Sequence, residues 1–282
     1  MNDTFSLGGD LPVHRLGFGA MRLPSKGGMF GAARDPESGR TVLRRAVELG
    51  VDHIDTADFY LSGDGAVRAN TLIREALHPY PAGLTIATKV GPLFQGGGFT
   101  HAAPGELRAL VEGNLDTLGV DRLDLVYLRI GAMEIPHGEP LAARFEALAA
   151  LREEGLIRHL GLSNVDADHL AQARAIAPVT AVQNQYRAGL RDEVELAGLC
   201  EAAGIAFVPF FPVGGGHEPD DPRLAKVAAR HGVSVPRIGL ARLLASSPVM
   251  LAIPGTGSVA HLEDNMGAAG VVLTQEDLLE LT

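Results

Sequence analysis

Three side chains able to move a proton follow one another along the chain: Asp55 and Tyr60 in "HIDTADFY", and Lys89 at the end of "IATKV". A tyrosine hydroxyl is a poor acid near neutral pH, with an unperturbed pKa of ~10. A nearby ammonium favours the phenolate and makes the proton easier to release, and a carboxylate beside that ammonium keeps it charged and oriented. Together, Asp, Tyr and Lys form a general acid that can protonate a carbonyl oxygen as a nucleophile reaches the carbon. Alone, each has an ordinary reading: an aspartate as a cap, a lysine reaching solvent, a tyrosine packing. A fourth candidate is Arg129 in "DLVYLRIG". Leu125, Val126, Tyr127 and Leu128 read as a strand buried on both faces, so a permanent cation closing it is either escaping to water or part of a site.

The elements that carry these residues repeat one theme, a helical stretch that ends in glycine with a short apolar strand soon after. In "TVLRRAVELG", Val42, Leu43, Ala46 and Val47 form a helical stripe and Gly50 is placed for a left-handed C-cap. In "ELRALVEGNLDTLG" the stripe is Leu107, Leu110, Val111, Leu115 and Leu118, with Gly119 as the stop and Pro104 where a first-turn proline would stand. The theme recurs at Gly155 and Gly204. Strand candidates are "RLGFGAM", "HIDTA", "TIATKV", "DLVYLRI", "RHLGLSN", "AVQNQY", "IAFVPFF" and "VMLAIPG". They are short and apolar on both faces, as parallel strands covered by helices must be. Eight β-α alternations without a linker or charge run predict one α/β domain over residues 1–282, a single (β/α)8 TIM barrel rather than an open doubly wound sheet. The leading "FSLGGDLPVHRLG" suits an N-terminal β-hairpin covering the bottom of the barrel. In such a barrel chemistry sits at the C-terminal strand ends, where Asp55, Lys89, Arg129, Ser163, Asn164, Gln183, Phe210 and Gly255 fall.

The bulk composition restricts the partners. At 46% hydrophobic and 21% charged, the 282 residues are those of an ordinary globular protein with a large core. A formal net charge of −10 disfavours nucleic acid or an anionic membrane, but not a small anion in a local cationic pocket. The single cysteine, Cys200, leaves disulfides and thiolate metal sites out and reads as a small core residue. The histidines show no metal-ligand spacing, so no metal is expected. The opening "MNDTFSLGGDLPVHRLG" has no charged run followed by an apolar one, and no apolar stretch is long enough to span a bilayer, so the expectation is a cytoplasmic protein. "GFGAMR" lacks a third glycine at the required spacing and does not support a Rossmann fingerprint, whereas "QGGGF" reads as a mobile loop over the site.

The segments "HIDTADFY", "TKV", "GLSN", "AVQNQY", "FVPFFPVGGG" and "IPGTGSVAHLEDN" together resemble the aldo-keto reductase superfamily over nearly the whole chain. The resemblance implies a barrel that binds NADP(H) without a Rossmann domain and reduces aldehydes or ketones by hydride transfer. It implies Tyr60 as general acid, Lys89 as its pKa-lowering partner and Asp55 as the partner of the lysine. Ser163, Asn164 and Gln183 correspond to nicotinamide carboxamide contacts, and Phe210 to the ring-stacking aromatic. In the loop "FPVGGGH", Phe211, Pro212, Val213, Gly214 and Gly216 correspond to a pyrophosphate clamp whose backbone N–H groups face phosphate. Ala20 and Met21 also fall among the implied cofactor contacts. So do Gly255, Thr256, Ser258, His261, Asp264 and Asn265, around the adenosine and its 2′-phosphate.

Two departures from the family pattern stand out. Arg129 occupies the place of the histidine that most of the superfamily uses as its fourth catalytic residue. An arginine can donate to the substrate oxygen as the imidazole does, but it adds a fixed charge and suits a substrate with an anionic or phenolic oxygen beside its carbonyl. Gly255 and His261 stand where many members carry a lysine and an arginine for the 2′-phosphate, which leaves NAD(H) use open. The combination is most similar to a bacterial pyridoxal reductase-type branch, and it implies a small-molecule carbonyl substrate and a monomer or weak homo-oligomer. The alternative reading is a slow-turnover NADP(H)-binding regulatory or sensor subunit of the same fold.

Overall fold

The computed structural model describes residues 4–95, 98–132, 134–186, 191–210 and 221–281. Strands β1 (Thr4–Leu7) and β2 (Leu11–His14) form an antiparallel hairpin. The chain then alternates through β3 (Phe18–Gly19), α1 (Pro36–Glu48), β4 (His53–Asp55), α2 (Ala69–Leu77) and β5 (Thr85–Val90). A second antiparallel hairpin, β6 (Pro92–Gln95) and β7 (Gly98–His101), precedes α3 (Leu107–Leu118) and β8 (Leu123–Arg129). Next come α4 (Ala142–Glu153), β9 (Ile157–Ser163), α5 (Ala167–Ile176), β10 (Ala181–Gln183), α6 (Arg191–Ala203) and β11 (Ala206–Phe207). The last helices are α7 (Pro222–His231), α8 (Val235–Ser246), α9 (Val259–Met266) and α10 (Gln275–Glu280).

Seven strands pair in parallel in the order β11-β10-β9-β8-β5-β4-β3. The eighth strand expected at "VMLAIPG" is present only as a segment held by the single parallel bridges Phe207↔Met250 and Leu16↔Ala252. It closes the ring through Leu251 N–H donating to the Phe207 carbonyl (2.9 Å) and Gly17 N–H donating to the Ala252 carbonyl (2.9 Å). Two glycines permit this closure. A Cβ on Gly19 would lie 2.7 Å from the Ile253 carbonyl oxygen, and one on Gly255 would lie 2.5 Å from that of Gly19.

The expected N-terminal hairpin plugs the opposite end of the ring. Leu7, Leu11 and Val13 join Ala87, Leu125, Tyr127, Ala181, Ala206, Leu251 and Ile253 in one apolar cluster inside the barrel. Asp10 at the hairpin turn anchors it to the start of β9, through Arg158 at 2.8 Å and His159 at 2.6 Å. The glycine stops behave as the sequence predicts: Gly119 and Gly155 take φ of 69° and 89°, and Gly50 and Gly204 are also left-handed. Of "QGGGF", expected as a mobile loop, Gly96 and Gly97 lie outside the described residues. Its flanks pair in register, Phe94 opposite Phe99 and Gln95 opposite Gly98, with the two rings in contact across the strands.

One buried group makes the fold sensitive to acid. The His53 ring lies against Gly17, where a Cβ would stand 2.3 Å from Cε1, and neither ring nitrogen has a hydrogen-bond partner among the described residues. Burial holds its pKa below the ordinary 6.5, against the pull of Asp52 and Asp55. Above pH 6.5 the imidazole is neutral in both folded and unfolded chains, so stability is complete there. As pH falls below 6.5 the unfolded chain takes up a proton that the native chain refuses, and up to about 1.4 kcal/mol is lost per pH unit until the folded-state pKa is reached. Urea midpoints measured from pH 8 to pH 5 should fall for the parent and fall less for His53→Phe. Equal slopes would assign the acid sensitivity elsewhere.

Candidate active site

Strand register alone gathers most of the expected residues. Arg129 pairs with Ser163, Ser163 with Gln183, and Lys89 with Tyr127. Side chains alternate along a strand, so Lys89, Arg129 and Gln183, each two residues beyond the interior positions Ala87, Tyr127 and Ala181, face the inside at its C-terminal end. Tyr127 lies below them across the barrel. A Cβ on Gly161 would fall 2.6 Å from its ring, so the glycine makes room for it.

At the centre is an ion pair closed to solvent. Lys89 Nζ donates to Asp55 Oδ1 at 2.5 Å and to the Thr56 carbonyl at 3.1 Å, and both side chains are about as buried as any in the core. The other carboxylate oxygen, Oδ2, accepts from Gln183 Nε2 at 2.7 Å. The ammonium stands 4.9 Å from the centre of the Tyr60 ring and 5.9 Å from that of Tyr127. A tight turn delivers Tyr60, whose N–H donates to the Ala57 carbonyl. Behind the pair, Thr56 donates to Asn70, and Asn70 and Thr88 both donate to Asn114 Oδ1. This buried network locks the ends of β4 and β5 to α2 and α3.

Lys89 acts on Tyr60 in the expected direction, but burial opposes it. Burial pushes the Tyr60 hydroxyl above its ordinary pKa, and Asp55 adds to that, while the charges of Lys89 and Arg129 pull it down. Burial prevails, so Lys89 limits the rise rather than producing a net fall, and Tyr60 holds its proton at neutral pH.

Arg129 does not reach for water. Its Nη1 donates to Ser163 Oγ at 3.1 Å, its Nη2 donates to the Ala132 carbonyl at 2.6 Å, and its guanidinium carbon stands 5.2 Å from the centre of the Phe210 ring. No carboxylate pairs with it among the described residues. Burial lowers its pKa, and Tyr60 and Asp55 are close enough to offset part of that. An arginine keeps its charge through such a shift. Since Ser163 Oγ accepts from Arg129, its own proton is left to donate.

Of the other expected contacts, Asn164 sits at φ 63°, with both amide protons committed to the Ile130 and Glu134 carbonyls at 2.9 and 2.8 Å, so only its oxygen is open to a ligand. Gln183 Oε1 is buried without a hydrogen-bond partner among the described residues. Ala20 and Met21 lie just beyond β3, where a short 3-10 turn begins. Thr256 Oγ1 accepts from Ser258 N–H at 3.1 Å, and Ser258 opens α9 without a side-chain cap. His261 is exposed and Asn265 buried. Asp264 is held by Arg237 at 3.0 Å and by the Ser234 hydroxyl, a tie between α8 and α9 rather than an open ligand. Phe211, Pro212, Val213, Gly214 and Gly216 lie outside the described residues.

The sequence reading missed an aromatic wall beside Tyr60. The Phe59 ring meets Tyr60 edge-on at 5.3 Å and Phe94 at 5.6 Å, and Phe94 meets Phe30 at 4.7 Å. Phe30 and Phe94 are both exposed, and Phe30 holds φ 64°, which is costly for an aromatic residue. Its N–H is tied to the Leu61 carbonyl in the loop just past Tyr60. Among the described residues no helix is long and apolar enough to cross a membrane.

A buried Asp-Lys pair under a tyrosine at the mouth of a closed parallel barrel defines a class of oxidoreductase, and the chain belongs to the aldo/keto reductase family, whose model matches residues 15–282. It is 43% identical over 292 residues to pyridoxine 4-dehydrogenase of Escherichia coli, covering 99% of this chain and 97% of that one. It is 30% identical over 308 residues to probable aldo-keto reductase 1 of Glycine max, covering 95% of this chain and 84% of that one. Among solved structures, a thermostable aldo-keto reductase in complex with the inhibitor epalrestat superposes with a TM-score of 0.81 at 29% identity, covering 99% and 98% of the two chains. An aldo-keto reductase from Klebsiella pneumoniae in complex with NADPH shares the fold with a TM-score of 0.82 at 24% identity, covering 100% and 94%.

Proposed function

We propose that this protein reduces a planar aromatic aldehyde with an anionic or phenolic oxygen beside its carbonyl, of which pyridoxal is the model, to the alcohol with NADPH. The observation that carries the reading is Arg129, a partly buried cation without a carboxylate partner among the described residues, beside the Asp55-Lys89 pair and Tyr60. The aromatic rings of Phe59, Phe94 and Phe30 support a flat substrate. The Escherichia coli relative's name supports the pyridoxine–pyridoxal couple.

The residues present suit the cofactor. Gln183 Oε1 is an orphaned buried acceptor that a carboxamide N–H would satisfy, and the Ser163 proton and Asn164 oxygen complete a set of one donor and two acceptors. Bound there, the nicotinamide supplies the hydride to the carbonyl carbon. Tyr60 donates its proton to the carbonyl oxygen as negative charge develops. Lys89, fixed by Asp55 and the Thr56 carbonyl, stabilises the phenolate that remains, and Arg129 donates to the oxygens on the substrate.

The test is oxidation of NADPH and, in parallel, NADH across an aldehyde panel that includes pyridoxal. Turnover with pyridoxal is expected; failure with every aldehyde would favour the slow-turnover regulatory reading. Arg129→Met should lower kcat/KM for pyridoxal by about 100-fold, the typical loss of one charge-stabilising donor. Neutral aldehydes without the adjacent oxygen should lose less, and Arg129→His should work with an altered preference. A silent Arg129→Met would remove the charge from the account.

A further inference from the structure

The positions that the family resemblance assigns to cations for the 2′-phosphate are Gly255 and His261 here, and the first has no side chain while the second is exposed. Barrel closure brings a different cation to the same turn. Arg34 ends the loop after β3, which folds back on itself through the Ser25↔Ala33 bridge and Arg34 N–H donating to the Pro24 carbonyl at 2.9 Å. Its guanidinium lies against Gly257, where a Cβ would fall 2.5 Å from Cζ and 2.6 Å from Nε. Gly257 is not among the glycines with positive φ, so the space taken by Arg34, not backbone conformation, accounts for glycine at this position.

Arg34 is also poorly satisfied. Among the described residues its Nε is buried without a hydrogen-bond partner, and the guanidinium makes one long bond, from Nη2 to the Ser25 carbonyl at 3.5 Å. In a chain with 34 acidic residues against 24 Lys and Arg, no carboxylate pairs with it among the described residues. The acids on the adjoining helix are already held by other arginines: Glu263 by Arg45 at 2.8 Å and Asp264 by Arg237 at 3.0 Å. That leaves the Thr256–Ser258 turn and the uncapped start of α9 facing an unpaired guanidinium, an arrangement that receives an anion.

We infer that Arg34, through the gap at Gly257, is the specificity-determining cation that holds the 2′-phosphate and so selects NADPH over NADH. This rests on the NADP(H) reading above. A guanidinium suits a phosphate monoester with parallel N–H donors and keeps its charge at any working pH. The 2′-hydroxyl of NADH would leave it as unsatisfied as it is now.

The test is isothermal titration of the protein alone, without substrate, with NADPH and with NADH. Arg34→Ala should weaken NADPH binding by about 10- to 100-fold, the loss expected for charge-assisted hydrogen bonds. NADH binding should be unchanged, as should the unfolding midpoint. Gly257→Ala, which displaces the guanidinium, should act in the same direction and add little in the Arg34→Ala background, while Arg34→Lys should recover part of the affinity. Equal loss of both nucleotides, or none, in Arg34→Ala would overturn the assignment while leaving the reductase reading intact. A parent protein that preferred NADH would overturn the assignment, and one that bound neither nucleotide would overturn both.

Discussion

Tyr60→Phe is expected to slow carbonyl reduction by about 10²- to 10⁴-fold, the range a positioned general acid contributes. The change removes one oxygen from a ring that is almost wholly buried and packed against Phe59, so the surrounding structure has no reason to move. NADPH affinity should stay within about twofold, because the groups assigned to the carboxamide do not include this hydroxyl. Single-turnover measurements with pre-bound NADPH separate the two effects. A variant that reduced aldehydes at the parental rate would show that the proton comes from elsewhere. The raised pKa of Tyr60 adds a pH signature. An acid that stays protonated through the neutral range gives a rate that does not fall as pH rises from 6 to 8 on its account.

Lys89→Met should cost stability as well as rate. Lys89 and Asp55 are 2% and 5% exposed, so removing the ammonium leaves a carboxylate in the barrel interior with, among the described residues, only the Gln183 side chain to bond it. Breaking a buried pair from one side typically costs about 3–5 kcal/mol, because the remaining charge is stranded away from water. Pairing the change with Asp55→Asn removes the stranded charge, and Asn can still accept from Gln183 Nε2. Urea unfolding should therefore show a large loss for Lys89→Met and recovery of much of it in the double variant, while activity stays lost in both. If the double variant were no more stable than the single one, the pair would be contributing packing rather than charge compensation.

The ring of strands was legible because parallel strands covered by helices are apolar on both faces, and because glycines such as Gly119 and Gly155 mark where each helix must stop. Asp55, Lys89, Arg129, Ser163 and Gln183 were legible as polar residues that end such strands, and the observed register brings them onto the inner face of one rim. What local pattern could not show was who pairs with whom. Gln183, expected among the nicotinamide contacts, also donates from Nε2 to Asp55 Oδ2. The balance at Tyr60 depends on how deeply the hydroxyl is buried, a property of the assembled site and not of the distance to a lysine in sequence. The pairing of Phe94 with Phe99 was hidden because short runs beside glycines carry little strand signal of their own. Arg34 carries no local mark at all, because its position matters only once the last β-α unit comes round to meet the first.

That meeting point is the thinnest part of the ring. Single bridges, Phe207↔Met250 on one side and Leu16↔Ala252 on the other, do there what continuous ladders do between the inner strands. The site inferred above, with Arg34 on one bank and the Thr256–Ser258 turn on the other, would set a dinucleotide across this seam like a rivet. Its binding free energy then adds to the work of prising the ring open. On that inference the enzyme charged with its cofactor should be a tougher object than the empty one, with the toughness gained where the empty barrel is weakest.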